Sequence, residues 1–499
     1  VYAVNGWEAM PYDNHSGIVD IYRNCKGNPS TFTYYTQPLY VAVSPRTQFV
    51  HLPGKVPVDF YIVNEKNLSG KYRLSVSVCT PDGKEGKHIE KEVHITGGDC
   101  FGQLLLENCQ LAIEGASGLY QVKAQLRNTS GHLCAEGKDE VLGIYWDEKQ
   151  LKGKGALYGT PDDPVATFYQ KATGCELPAF RSDMEKLDWI VVTRSSLDAP
   201  QPVPVEAFCQ KEGKSVLELS LYKDDDLRTL AGVTQDNKID RTFADGAQPD
   251  PLLPANQSFS AIWDGKLKAP QSGTYMIGVT SDQGMRLSVN GQRIVDEWRN
   301  NKELTVVRPF LLKAGDEVAV RVEYSQRNPT GSVQLVWSLP DHAAIAPQEL
   351  LDRVREDGTS LLLLKSAESW MDAVSAYTGS AYHGYYSVGK NWVGGVHFVK
   401  EHPLFNGLPV NVAMGWPYQA LVRNGDRRLG LHIDNEELVA GSYSSAPFNL
   451  GSAVGIISCG KGKIYYSTLD LVDNLNNPAA AADVARKLFC NFILLSKDR

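Results

Sequence analysis

The sequence predicts a multidomain, β-rich chain: a β-sandwich, then an α/β domain interrupted by a second, inserted β-sandwich. Three observations predict it. Apolar and polar residues alternate at period two across residues 38–146 and again across 213–339, as in strands buried on one face. Strand and helix patterns alternate only over residues 160–192 and beyond Pro340, as in βα units. Proline-rich stretches at 198–204 and 340–347 separate the two kinds of pattern.

Length and charge narrow the function next. A chain of 499 residues is too long for one core, and about one domain per 150 residues gives three or four. With 42% hydrophobic and 22% charged residues, each can bury enough apolar surface to offset chain entropy. A formal charge of -8 argues against binding that neutralises phosphates, so nucleic acid is not an expected partner. No apolar run reaches the roughly 18 to 20 residues of a membrane span; the longest, 360–364, is strand-sized. Residues 1–10 lack the charged, apolar and small-residue order of a signal peptide. Val1 is not a start residue, so the chain is expected to begin inside a longer or processed polypeptide. The nine cysteines form no CxxC pair and no zinc-like cluster with histidine. Free thiols are expected, Cys79 and Cys490 acting as small hydrophobes, with Cys100 and Cys109 the pair most open to a disulfide.

Residues 1–37 are aromatic and polar but too few for a core. In the next segment, 38–150, Tyr72, Leu74, Val76 and Val78 share one face, and Tyr120, Val122, Ala124 and Leu126 repeat the pattern. With turns such as Pro81-Asp-Gly83 between strands, this predicts an immunoglobulin-like sandwich of roughly 100 residues. A helix follows, with Thr160 as N-cap, Pro161 in the first turn, Asp162 and Asp163 at the positive dipole end and Gly174 as the stop. The buried-type strand 189–192 comes after it. Helices at 348–355, near 370–377 and at 478–495, with the strand 360–364, continue the pattern beyond Pro340 and predict a mostly parallel sheet covered on both faces. The α/β domain thus comprises 151–205 and 341–499. Between its halves lies the inserted sandwich, 213–340, where Asn290-Gly291 is the strongest hairpin signal and Val318, Val320, Val322 and Tyr324 alternate along another strand.

Asp13-Asn-His-Ser-Gly-Ile-Val-Asp-Ile-Tyr-Arg-Asn24, followed by Gln37-Pro-Leu-Tyr40, resembles the closing stretch of the catalytic TIM barrel in β-galactosidase-like members of glycoside hydrolase family 2. The sandwich carrying Asp59-Phe-Tyr-Ile-Val-Asn64 looks like the domain that follows that barrel. Phe259-Ser-Ala-Ile-Trp-Asp-Gly265, Ser272-Gly-Thr-Tyr275, Thr280-Ser-Asp-Gln-Gly284 and Val289-Asn-Gly-Gln-Arg-Ile-Val-Asp-Glu-Trp298 resemble the protective-antigen-type, or PA-fourteen, module. The split α/β domain, through Gly460-Lys-Gly-Lys-Ile-Tyr-Tyr-Ser-Thr-Leu469, looks like the glutamine-amidotransferase-type, flavodoxin-like accessory domain of β-galactosidases. These resemblances imply a non-catalytic accessory region, with carbohydrate and an upstream barrel of the same polypeptide as partners. They imply a periplasmic or extracellular location, and a parent enzyme hydrolysing β-galactoside-like glycans with retention.

Catalysis is not expected of this chain alone. Retaining glycosidases bring together two carboxyl groups about 5.5 Å apart in a barrel of about 250 residues, of which 1–37 is only the end. The resemblance puts both catalytic glutamates upstream of Val1, leaving Glu8, Asp13 and Asp20 without that role. Trp7, Asp13, Asn14 and His15 either line the sugar pocket of a completed barrel, ring face on sugar face with polar neighbours on its hydroxyls, or pack its rim. An amidotransferase needs a cysteine on a sharp strand-to-helix turn. Lys365-Ser-Ala-Glu368 offers none, and Cys459 leads through Gly460-Lys-Gly462 into a hairpin. An independent hydrolase using this α/β domain, through Cys459 or Ser366, is the rival reading; a structural or adhesive protein without a sugar site is a third.

In the insert, Asp282, Gln283, Asp296 and Trp298 are expected to touch sugar, while Trp263 and Tyr275 read as core. Some lectin members of the family hold calcium with adjacent aspartates; here Gln283 stands in the second place, so Asp282 alone could contribute, and no cofactor is expected, with calcium as the alternative. The three acids 224–226 read either as a cation site or as a solvated turn. Tyr382-His-Gly-Tyr-Tyr386 with Trp392 reads as a second sugar platform or an interdomain contact.

Overall fold

The computed structural model describes residues 19, 23–25, 28–98, 102–151, 153–160, 162–195, 201–211, 214–215, 217–340, 347–388, 395–422, 428–445 and 448–497. Trp7, Asp13, Asn14, His15, Cys100, Pro161 and Trp392 lie outside the described residues, as do 198–200 and 341–346. Two compact units emerge, one of residues 1–194, 350–368 and 377–499, the other of 195–349 and 369–376.

The first unit contains a sandwich and a mixed sheet. Three antiparallel strands, Leu39–Pro45, Gly54–Asn64 and Gly102–Ile113, form one layer of the sandwich. The other layer orders Phe49–His51, Leu133–Ile144, Gly118–Arg127, Gly70–Cys79 and Ile89–Ile95. Alternation decides which residues meet between the layers: Val56, Val58, Phe60 and Ile62 from one side, Leu74, Val76, Val122, Ala124 and Leu126 from the other, all fully or almost fully buried. The layers approach so closely that a Cβ on Gly137 would overlap the Val41 carbonyl oxygen. Tyr120 donates its hydroxyl back to the carbonyls of Ala116 at 2.7 Å and Glu114 at 3.0 Å, pinning the corner before its strand.

The mixed sheet corrects one expectation. Its parallel block has four strands, Gly155–Tyr158, Trp189–Val192, Ser360–Leu363 and Gly462–Ser467. The remaining strands, including Glu437–Ser445 and Phe448–Cys459, pair antiparallel, so the sheet is not mostly parallel. An apolar strand reads the same whichever way its neighbour runs, and here hairpins rather than crossover helices make the later connections. The helix Pro164–Thr173 starts later than Thr160. Asp163 is its N-cap, accepting from the Val165 N–H at 2.8 Å and from the Thr193 hydroxyl, with Pro164 in the first turn. Gly174, at φ 72°, ends it as expected. The last helix, Asp483–Leu495, is buried along most of its length. Its Asp483 carboxylate accepts from Trp146 Nε1 at 3.0 Å and Arg486 Nη1 at 2.6 Å, and lies 3.2 Å from His51 Nδ1. Cys459 closes a hairpin against Gly462, and the eight described cysteines are unpaired.

The second unit is an antiparallel sandwich. Six strands order as Leu230–Asp236, Leu217–Tyr222, Phe259–Lys268, Glu317–Gln326, Gly284–Val289 and Gln292–Glu297. Facing them, Gly331–Ser338 pairs with Gln201–Pro202, Asp240–Phe243 and Gly273–Ser281, and the last of these pairs with Leu304–Leu312. Asn290 and Gly291 take φ 48° and 81°, the pair of positive values a two-residue hairpin with the strands' twist requires. Trp263, Tyr275 and Tyr324 fill the core.

Candidate functional site

Strand registers gather the polar loops of the second unit at one end. Phe243 lies opposite Gly331, Phe259 opposite Gln326, Gly284 opposite Ser325 and Ser281 opposite Leu304. The segments 223–229, 244–258, 282–283, 298–303 and 327–330 therefore emerge together. The chain enters at the opposite end, where Gln201 pairs with Trp337.

Three side chains hold this loop face. Arg327 Nε donates to an Asp225 carboxylate oxygen at 2.7 Å, and its Nη1 to the Trp298 carbonyl at 2.8 Å. The Asn300 amide donates to the carbonyls of Ser281 and Gln283, both at 3.2 Å, and of Lys302 at 2.6 Å. Gln283 is 3% exposed; its Nε2 donates to the Thr330 carbonyl at 3.0 Å and its Oε1 accepts from the Arg327 N–H at 3.3 Å. Buried amides are satisfied in this way because an unpaired one costs roughly 1–3 kcal/mol.

Of the residues singled out in the sequence, Asp282, Gln283 and Trp298 are brought to this end, with Asp296 just behind on its strand. Asp282 Oδ1 accepts from the Ser332 N–H at 2.6 Å. Burial, with the Asp282 charge adding to it, pushes the Tyr324 phenol far above its ordinary pKa. Tyr324 therefore stays neutral and donates to Gln326 Oε1 at 2.8 Å. Asp296 accepts from Arg286 Nε at 2.9 Å and from Arg293 Nη1 at 3.3 Å, and the Arg286 hydrogen bond holds its carboxyl below the usual range. The Trp298 ring faces the same Arg286 guanidinium, 4.3 Å from its centroid, a cation–π contact. Asp224 is a turn cap: it accepts from the N–H groups of Arg228 at 2.9 Å and Thr229 at 2.6 Å. Against the upward pull of desolvation, hydrogen bonds from Thr229, Arg228 and Asp226 keep it ionised well below the usual range.

A cleft beside this network is lined by residues that the sequence analysis did not single out. It has a volume of about 300 Å³, and its walls include Phe243, Asp245, Asn256, Gln257, Gln326 and Asn328. Phe243 is stacked on Tyr324, centroids 5.5 Å apart at 24°, so its orientation is set by the core. The available signal was the stretch 244–258, fifteen residues without periodicity, since long irregular loops in compact domains are usually functional. An open groove of about 470 Å³ runs along 296–302 on the same loop face. Among the described residues, no group of three or more His, Cys, Asp or Glu side chains is placed to hold a metal ion.

The family profile described as PA14 domain matches residues 213–350. The chain carries a PA14 domain. Outside a family profile, the chain is similar to the anti-sigma-I factor RsgI3 of Acetivibrio thermocellus, 29% identical over 117 residues, or 23% of this chain and 18% of that protein. It thus spans less than a fifth of that curated relative. Among solved structures, an anti-sigma factor domain-containing protein from Clostridium clariflavum aligns at 16% identity over 60% of this chain and 93% of its own, with a TM-score of 0.24. A PA14 sugar-binding domain from an RTX adhesin aligns at 19% identity over 24% of this chain and 87% of its own, with a TM-score of 0.19. Among the described residues, no helix is long and apolar enough to cross a membrane.

Proposed function

We propose that this chain is a non-catalytic, carbohydrate-binding region whose PA14 domain holds glycan on its loop face. The cleft beside Phe243 carries the reading. A sugar offers hydroxyls to amide and carboxyl groups and an apolar face to a ring, and the Phe243, Asp245, Asn256 and Asn328 walls supply both kinds of partner. Asp282 and Trp298 border the ligand in this reading, while Gln283 and Asp296 brace the loops and strand behind it. Calcium is not part of this reading: Gln283 supplies no second carboxylate beside Asp282, and both of its amide atoms are engaged within the fold. The site is proposed to work without a metal.

The finer reading sets this region within a family 2 glycoside hydrolase acting on β-galactoside-like glycans outside the cytoplasm. The motif of residues 13–24 supports it, as do the Tyr120 corner expected of an immunoglobulin-like sandwich and the parallel block expected of an amidotransferase-like domain. Trp7, Asp13, Asn14 and His15 are proposed to line the barrel's sugar pocket. The test is a glycan array and calorimetry on the whole chain, with Asp245→Ala and Asn328→Ala as site variants and a chromogenic galactoside as substrate. Binding that both variants weaken, with no colour release, is expected. A featureless array would sink the binding reading in favour of a structural protein, and turnover by this chain would sink the non-catalytic one.

One observation favours the rival hydrolase. Ser366 takes φ 52° on the turn from the parallel strand Ser360–Leu363 into the helix Ala367–Trp370, a strained strand-to-helix elbow of the kind that presents nucleophiles. Cys459 is buried in a hairpin, and burial raises its thiol pKa, both unfavourable for a nucleophile. Ester hydrolysis by the chain that Ser366→Ala abolishes would establish that reading.

A further inference from the structure

A second cleft in the first unit has a composition suited to sugar. The helix Pro29–Tyr35, Trp416 and residues of the strands Gly118–Arg127 and Leu133–Ile144 line a cleft of about 580 Å³. Three aromatic residues, Tyr34, Tyr35 and Trp416, line this space. Tyr34 and Tyr35 stand perpendicular, centroids 5.0 Å apart at 89°, and Tyr35 keeps 53% of its surface exposed. Trp416 is half-buried and held edge-on by Phe49, centroids 5.5 Å apart at 75°, so its ring is oriented before any ligand arrives. Glu140 and Gln121, a cross-strand pair, and Asp139 line it as well.

Charge selects the ligand class. Two carboxylates and one lysine line the cleft, and the Lys138 ammonium already sits 5.3 Å from the Tyr34 ring centroid, so phosphate- or sulfate-bearing ligands would be repelled. A wholly apolar ligand would strip water from the carboxylates and leave them unpaired. A neutral polyhydroxylated ligand satisfies both constraints, its hydroxyls donating to carboxylate and amide oxygens and its C–H faces resting on oriented rings. We propose that this cleft is a second glycan site, separate from the PA14 loop face, taking a short neutral oligosaccharide through Tyr35, Trp416, Asp139 and Glu140.

Titration calorimetry of the whole chain with lactose, cellotetraose and xylotetraose tests this. At least one probe should bind in a way that Trp416→Ala and the exposed-site variant Tyr35→Ala each weaken about tenfold, the loss of one good stacking contact. Asp245→Ala and Asn328→Ala in the PA14 cleft should leave that event unchanged. Thermal melts equal to the parent's would show that the variants fold. No heat with any probe overturns the proposal, as does binding that the PA14 variants abolish and the Tyr35 and Trp416 variants leave intact. Since the two sets of variants lie in different units, the failure of either site is read separately.

Discussion

Arg327 Nε lies 2.7 Å from an Asp225 carboxylate oxygen, and the same guanidinium reaches the Trp298 carbonyl. One side chain thereby ties the 223–229 loop to the 298–303 loop. Arg327→Ala should lower stability by about 1 kcal/mol in urea unfolding, the pair being partly exposed and so screened. Arg327→Lys should recover only part of that, because an ammonium cannot reproduce the two-directional fork.

The loop face is proposed to work without a metal, with Arg286 and Arg327 supplying positive charge there. Glycan affinity and melting temperature should therefore be the same in EDTA as in millimolar calcium. A rise of several degrees on adding calcium would show that Asp282 and its neighbours do bind the ion, since a ligand selective for the folded state stabilises it.

Gly331 opens the strand beside the PA14 cleft, and a Cβ there would overlap the Tyr324 hydroxyl and crowd Gln283 and Gln326. Gly331→Ala should cost about 1–3 kcal/mol as an overpacked site. It should also weaken binding, because Gln326 and the Asn328 loop must shift. Urea melts and calorimetry on the same sample check both.

In the first unit, burial raises the Glu436 carboxyl pKa above its ordinary value, with the hydrogen bond from Tyr466 opposing the shift. A carboxyl with a raised folded pKa binds its proton more tightly when folded, so its contribution is present at low pH and is lost as pH rises through that raised value. Glu436→Gln keeps an acceptor for Tyr466 without a charge. It should melt higher than the parent at pH 7 and converge with it near pH 4; equal melting at both values would refute the assignment.

Asp163 caps its helix and accepts from the buried Thr193 hydroxyl. Asp163→Ala should cost about 2 kcal/mol, one part a lost cap and the other an orphaned hydroxyl, whereas Thr160→Ala should cost little. Chemical denaturation of the two variants separates them and tests where the helix begins.

The Asn290-Gly291 hairpin, the buried strand Trp189–Val192 and the Gly174 stop were readable because each depends on the φ preferences or burial of a few consecutive residues. The helix start was misplaced because Thr160-Pro161 and Asp163-Pro164 carry the same cap-and-proline signature, and only Asp163 has Thr193 beside it in space. Sheet direction was misread because the apolar strand Phe448–Cys459 does not encode which way its partner runs. Asp282, Gln283 and Trp298 fall within the quoted motifs, but Phe243, Asn256 and Asn328 are far apart in the chain and become neighbours only through strand register.

By itself the sequence determined what local chemistry can determine: period-two strands, turns that need positive φ, the net negative charge that disfavours phosphate ligands, and the motifs of the PA14 domain. Tertiary structure decided which polar groups are spent inside the protein and which face outward. Gln283 looks like a ligand contact in sequence and becomes a buried brace once Thr330 and the Arg327 amide close on it. Tyr35 and Trp416, 381 positions apart in the numbering, share one cleft. Long-range pairing lies beyond any local pattern, because hydrogen bonds are satisfied by whatever the fold brings within about 3 Å.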